Sequence, residues 1–173
     1  IGKDDEVITV ANSYLASASS IALCGAKPVF VDVMNDLNID YRKIESAITK
    51  KTKAIMPVHL TGKPAKMDEI LEISKKYGIP IIEDCAQAHG AQYRGKSVGS
   101  WGAVGAWSFC QDKIMTTGGE GGMVTTQDET LWHKMWSYKD HGKSHKAVYE
   151  RDHPPGFRWL HESFGTNARM LEM

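Results

Sequence analysis

Apolar residues fall in short runs separated by stretches with helical spacing. Segments 6–11 (EVITVA), 28–33 (PVFVDV), 53–59 (KAIMPVH) and 80–85 (PIIEDC) are nearly continuous apolar runs. Strands buried on both faces of a parallel sheet take this form. Between them, Ile44, Ala47 and Ile48 share one face of a predicted helix over 40–48. Met67, Ile70, Leu71 and Ser74 follow the i, i+3, i+4, i+7 spacing of a helix over 66–77. A small-residue helix over 14–23 ends before Gly25, and Gly78 follows the 66–77 helix, both suited to left-handed helix caps. The alternation of strand and helix predicts parallel βαβ crossovers. The expected fold class is α/β, a three-layer α/β/α arrangement around a mostly parallel sheet.

Beyond Cys85 the pattern changes. Residues 91–102 (AQYRGKSVGSWG) are punctuated by glycine and read as a surface hairpin or loop. Residues 104–109 and 122–126 read as strands, with the glycines of 118–122 before the second. A helix is expected over 128–138 with Asp128 at its start. The polar stretch 142–159, carrying Pro154-Pro155-Gly156, reads as a long loop, and 168–173 as a helix. The N-terminus enters a strand almost at once and the C-terminus stops inside that last helix, so both ends read as cut from a larger protein.

Composition narrows the classes. The 173 residues are 42% apolar and 24% charged, with 21 basic and 21 acidic side chains. Zero net charge gives no long-range pull toward nucleic acid or anionic lipid, so neither is expected as a partner. No apolar run approaches the roughly 20 residues of a membrane span, the polar opening has no signal-peptide character, and a cytoplasmic location is expected. Cys24, Cys85 and Cys110 lack CxxC spacing and read as buried free thiols. The seven histidines form no HExxH pattern, and no metal site is expected.

Ligands of open parallel sheets bind beyond the carboxyl ends of the strands, which directs attention to 12–14, His59, 84–87 and 108–113. Asp84 closes an apolar strand, where a poorly hydrated carboxylate needs a cationic partner. A pyridinium nitrogen would serve, and an aspartate there keeps such a ring able to accept electrons. A cap of a following helix is the plainer alternative. Gln87 can present its amide to a ring oxygen, or be an ordinary loop residue bonded to backbone. Ser108 ends the next strand and can donate to a phosphate. Lys113 immediately precedes the glycine-rich run IMTTGGEGG (114–122). An amine in apolar, glycine-rich surroundings can be kept partly neutral for attack on a carbonyl; a solvated lysine is the alternative. Tyr14 can stack on a flat ring or pack in the core. The glycine run matches neither GxGxxG nor a Walker A sequence, so a nicotinamide or nucleoside-triphosphate site lacks its fingerprint.

Taken in order, GAKPVFVDV (25–33), the segment 47–70 around PVHLTGKPAKMDEI, IPIIEDCAQAHGAQYRGKSVGSWG (79–102) and SFCQDKIMTTGGEGGMV (108–124) resemble the DegT/StrS family of nucleotide-sugar aminotransferases. These are pyridoxal 5'-phosphate (PLP) enzymes of the aspartate-aminotransferase fold, fold type I. The resemblance covers nearly the whole chain. It implies that Lys113 joins the cofactor as a Schiff base, that Asp84 faces the pyridine nitrogen, and that Gln87 lies near the ring hydroxyl. It also implies that Ser108 contacts the phosphate and Tyr14 lies over the ring. Asn167, in GTNARM (165–170), resembles a residue that reaches the phosphate of the neighbouring subunit, implying a homodimer with shared active sites. The implied reaction moves an amino group from glutamate to a keto-deoxysugar nucleotide.

Two departures bear on substrate: Ile114 stands where many members have Asn, and Ala168 where an aromatic is common. A dehydratase branch of the family carries His in place of the lysine, so Lys113 speaks against it; a non-catalytic relative is opposed by intact Lys113, Asp84 and Ser108. The resemblance further implies that 1–173 is a PLP-binding large domain truncated at both ends. A phosphate-holding helix would precede Ile1 and a small C-terminal domain would follow Met173. The 173 residues by themselves are therefore expected to be inactive.

Overall fold

The computed structural model describes residues 1–153, 156 and 159–170. Strand β1 (Glu6–Val10), helix α1 (Leu15–Leu23), β2 (Lys27–Val31), α2 (Tyr41–Ala47), β3 (Thr52–Ile55), α3 (Met67–Tyr77) and β4 (Ile82–Asp84) alternate as the apolar pattern predicts. A short hairpin, β5 (Gln92–Tyr93) and β6 (Lys96–Ser97), then leads into β7 (Val104–Ser108), β8 (Gly122–Thr125), α4 (Glu129–Lys139) and α5 (His145–Tyr149). β1 lies between β2 and β3, parallel to both. Parallel bridges Ile55↔Ile81 and Val58↔Asp84 join the β3 side to β4. β4 runs parallel to β7, and β8 adds antiparallel to β7. The strand order is thus β2-β1-β3-β4-β7-β8, and the five parallel strands open their carboxyl ends along one edge.

Adjacent strand residues point to opposite faces, and β1 shows why its run is apolar throughout. Ile8 and Val10 enter a core with Ile39, Ile44, Ile55, Met67, Ile70 and Ile81, beneath α2 and α3. Val7 enters a second core with Ile21, Ala26, Ala54 and Met56, beneath α1. The helix ends follow from local chemistry. Asp40 and Asp128 cap α2 and α4 by accepting the Arg42 and Leu131 N–H groups. Gly78, at φ 65°, gives α3 the left-handed turn that a side chain resists.

Four expectations are corrected. Burial on both faces fails at the rim: Phe30 of edge strand β2 is 53% exposed, because an edge strand has a neighbour on one side only. The 142–159 stretch holds a helix: Ser144 accepts the Ala147 N–H and starts α5, a capping signal that its polarity hid. No helix forms over 168–170, while 171–173 lie outside the described residues, as do Pro154 and Pro155. The three thiols are not all buried: Cys85 is, Cys24 is exposed and Cys110 is in between. No helix among the described residues is long and apolar enough to cross a membrane.

Candidate active site

Because β1, β3, β4 and β7 are parallel, the segments that leave them meet at the same edge. Asp84 ends β4 and Ser108 ends β7. Asp84 pairs in register with Ala106, and Ser108 lies two residues further on. Both side chains therefore sit on one face of neighbouring strands, the face covered by α1. That helix reaches Asp84 directly: Ser17 Oγ donates to Asp84 Oδ2 at 2.7 Å, and Ser13 Oγ lies 2.7 Å from Ser17 Oγ. The other carboxylate oxygen accepts the Ala86 N–H at 3.1 Å. No helix follows β4, so Asp84 caps a tight turn, not the helix that the plainer reading allowed. Among the described residues no cationic side chain pairs with it.

Gln87 lies in the turn after β4. Its Oε1 accepts the Thr61 N–H at 2.7 Å, from the 3-10 turn Leu60–Gly62 that follows β3. Its amide NH2 has no partner among the described residues. Ser108 Oγ is 3.5 Å from the Cys110 N–H, the outer limit of a hydrogen bond. Lys113 stands in the loop leaving β7. Its N–H donates to Cys110 O at 3.1 Å, and the loop closes where the Thr117 N–H donates to Phe109 O at 3.0 Å. Lys113 is half-buried, and its ammonium makes no hydrogen bond or ion pair among the described residues. Tyr14 precedes α1 at the end of β1 and is 76% exposed, so it is not the core residue of its alternative reading.

Asn167 stands apart. It is exposed, and its backbone bridges to Asp140 at the end of α4. Asp140 accepts Lys143 Nζ at 3.1 Å and Arg169 Nη2 at 2.7 Å. Burial pushes its carboxyl up, but these two cations hold it below the usual range. A cavity of about 690 Å³ opens between α4, α5 and Glu162–Phe164 and contains none of the predicted site residues.

Behind Asp84 lies a network that sequence reasoning did not assign. Glu83 and His59 are fully buried. Glu83 Oε1 accepts the Trp101 and Gly102 N–H groups at 2.8 and 2.7 Å. Its Oε2 accepts the Gly99 N–H at 2.8 Å and lies 3.0 Å from His59 Nε2. His59 Nδ1 accepts the Ala65 N–H at 3.0 Å, so the imidazole proton sits on Nε2 and is donated to Glu83. Burial raises the Glu83 carboxyl, yet the bonds from His59, Gly102 and Gly99 bring it below its ordinary value. Cys85 Sγ lies within 4.8 Å of this pair, and burial, then the nearby Glu83 and Asp84, pushes its thiol up. Both imidazole nitrogens and both carboxylate oxygens are engaged by hydrogen bonds. Two signals were legible: a glutamate inside an apolar strand, which demands buried partners, and His59, a suspect at a strand end that the structure buries instead in this network.

A mostly parallel α/β sheet flanked by helices is the fold of PLP-dependent transferases of fold type I, the fold of the solved structures it matches. The chain belongs to the DegT/DnrJ/EryC1/StrS aminotransferase family, whose model matches residues 1–173. It is 44% identical over 174 residues to a pleiotropic regulatory protein of Geobacillus stearothermophilus, covering 100% of this chain and 44% of that one. It is 50% identical over 176 residues to a GDP-perosamine synthase of Caulobacter vibrioides, with the same coverage of 100% and 44%. The X-ray structure of an aminotransferase from Psychrobacter cryohalolentis superposes with a TM-score of 0.96 at 62% identity, over 98% of this chain and 43% of that one. NtdA of Bacillus subtilis, solved with its cofactor PMP, superposes at 0.83 with 33% identity, over 98% of this chain and 36% of that one. The chain thus spans less than half the length of these relatives.

Proposed function

We propose that this chain is the cofactor-binding large domain of a PLP-dependent aminotransferase that moves an amino group from glutamate to a keto-deoxysugar nucleotide. The observation that carries the reading is the meeting of Asp84 and Ser108 on one face of adjacent strands, with Lys113 on the loop that leaves the second. The unfilled valences there suit the cofactor. A half-buried carboxylate without a cation fits a protonated ring nitrogen, a free amide NH2 fits a ring oxygen, and a lysine amine with no hydrogen-bond partner among the described residues fits, once deprotonated, a carbonyl carbon. The synthase and aminotransferase relatives support the same activity. The intact lysine favours turnover over the regulatory role that one relative's name carries.

PLP, when bound, supplies the electron sink that makes the amino-bearing carbon acidic. The chain's own groups do the rest. Asp84, fixed by Ser17 and the Ala86 N–H, holds positive charge at the ring nitrogen. Gln87 would donate to the ring oxygen, Ser108 would hold the phosphate, and Tyr14 would lie against the ring. The Lys113 amine anchors the cofactor. With the cofactor bound, the freed Lys113 amine would be the base that takes the proton from the amino-bearing carbon of the substrate and the acid that gives it back. Asn167 serves the partner subunit's site in a cytoplasmic homodimer.

Full-length protein titrated with PLP should develop a visible absorbance band, lost in Lys113→Ala, and glutamate should discharge that band with release of 2-oxoglutarate. A band that persists in Lys113→Ala would overturn the assignment.

A further inference from the structure

We propose that the Thr61–Gly62 turn is a positioning element for Gln87, fixing its side-chain amide so that it presents hydrogen-bond donors, and never an acceptor, to the site. The inference rests on the PLP reading for what the donors meet, and on the turn alone for the lock.

The lock is a single bond of defined polarity. The Thr61 backbone N–H can only donate, and the atom it meets at 2.7 Å is Gln87 Oε1. Rotating the amide by half a turn would set NH2 against N–H, losing the bond and opposing two donors. One oxygen thus occupied, the free end of Gln87 is its NH2.

The turn is shaped for this contact. Thr61 has φ 54° and ψ 25°, left-handed values that a β-branched residue adopts rarely and at a cost. In that conformation its N–H points out of the chain toward the loop after β4. Its own hydroxyl donates to Leu60 O at 2.7 Å. Gly62, at φ 82°, brings the chain so close that a Cβ there would stand 3.2 Å from Gln87 O. The turn therefore touches Gln87 through both side chain and backbone. The next residues continue into the buried network, where the Ala65 N–H is held by His59.

A donor facing the ring oxygen withdraws charge from it. That oxygen then holds less tightly the proton which the bound cofactor shares with the Lys113 nitrogen, and the pH of the spectral transition falls. A glutamine free to flip would offer an acceptor part of the time and raise that pH.

Two measurements on the full-length protein test this. In cofactor-free protein, hydrogen exchange at the Thr61 amide should be slow. It should speed up at least tenfold in Gln87→Ala and stay slow in Gln87→Glu, which keeps an oxygen for the bond. In PLP-loaded protein, the pH midpoint of the visible band should rise by about one unit in Gln87→Glu. It should also rise in Gly62→Ala, whose Cβ crowds the Gln87 backbone oxygen and disturbs the turn while leaving the Gln87 side chain itself unaltered, but not in Thr61→Gly, which keeps the N–H and accepts the positive φ. Equal exchange at Thr61 in wild type and Gln87→Ala overturns the lock. An unmoved midpoint in both Gln87→Glu and Gly62→Ala overturns the orientation. The exchange arm needs no cofactor, so failure of the lock and failure of the PLP reading give separate results.

Discussion

Replacing Glu83 with glutamine keeps the shape of the side chain and removes one of its two acceptor oxygens. Four donors converge on that carboxylate: Gly99, Trp101 and Gly102 N–H and His59 Nε2. If the glutamine oxygen faces Trp101 and Gly102, its NH2 opposes the Gly99 N–H. His59 must then either oppose it or move its proton to Nδ1, against the Ala65 N–H. Either way two buried donors lose their acceptors. At about 1–3 kcal/mol for each orphaned group, the loss is about 2–6 kcal/mol, against a total domain stability of about 5–15 kcal/mol. Urea unfolding of wild-type and Glu83→Gln protein, followed by far-ultraviolet circular dichroism, measures it directly. A difference under about 0.5 kcal/mol, the range of ordinary surface substitutions, would refute the claim that all four donors depend on this carboxylate.

The same carboxylate predicts an acid limb. Its folded-state value lies below the ordinary one despite burial, so its stabilisation is complete above about pH 4.3, the unfolded value. The contribution is lost as pH falls through the lower folded value. Wild-type stability measured between pH 6 and 3 should therefore drop more steeply than that of Glu83→Gln. Ser17→Ala removes a hydrogen bond to ionised Asp84 and should cost about 1.5–3 kcal/mol; under the proposed function it should also weaken PLP binding, read by spectroscopic titration. Alkylation at mildly alkaline pH, followed by mass spectrometry, should modify exposed Cys24 before Cys110 and leave Cys85 unmodified in the folded protein, because burial suppresses its thiolate.

Much of the fold was legible from the chain. The apolar runs at 6–11 and 28–33 and the spacing of Met67 and Ile70 are short-range consequences of burying one helix face or two strand faces, and such patterns survive in one dimension. The strand-closing positions of Asp84 and Ser108 followed from the same pattern, and the order of motifs identified the family. The chain also marked Gly25 and Gly78 as helix ends, since positive φ is cheap there for glycine alone.

What only the tertiary structure decided is which donors meet which acceptors across long sequence separations. Ser17 reaches Asp84 over 67 residues, Thr61 reaches Gln87 over 26, and His59 reaches Glu83 over 24. No periodicity carries these pairings, because a hydrogen bond depends on atoms brought within about 3 Å by the packing of distant elements. The helix at 145–149 escaped for a related reason: it is one short turn whose burial rests on Ala147 and Val148, too few residues to leave a repeat. Apolar burial is non-directional and shows in composition along the chain, whereas polar partnership is directional and exists only once the chain has folded.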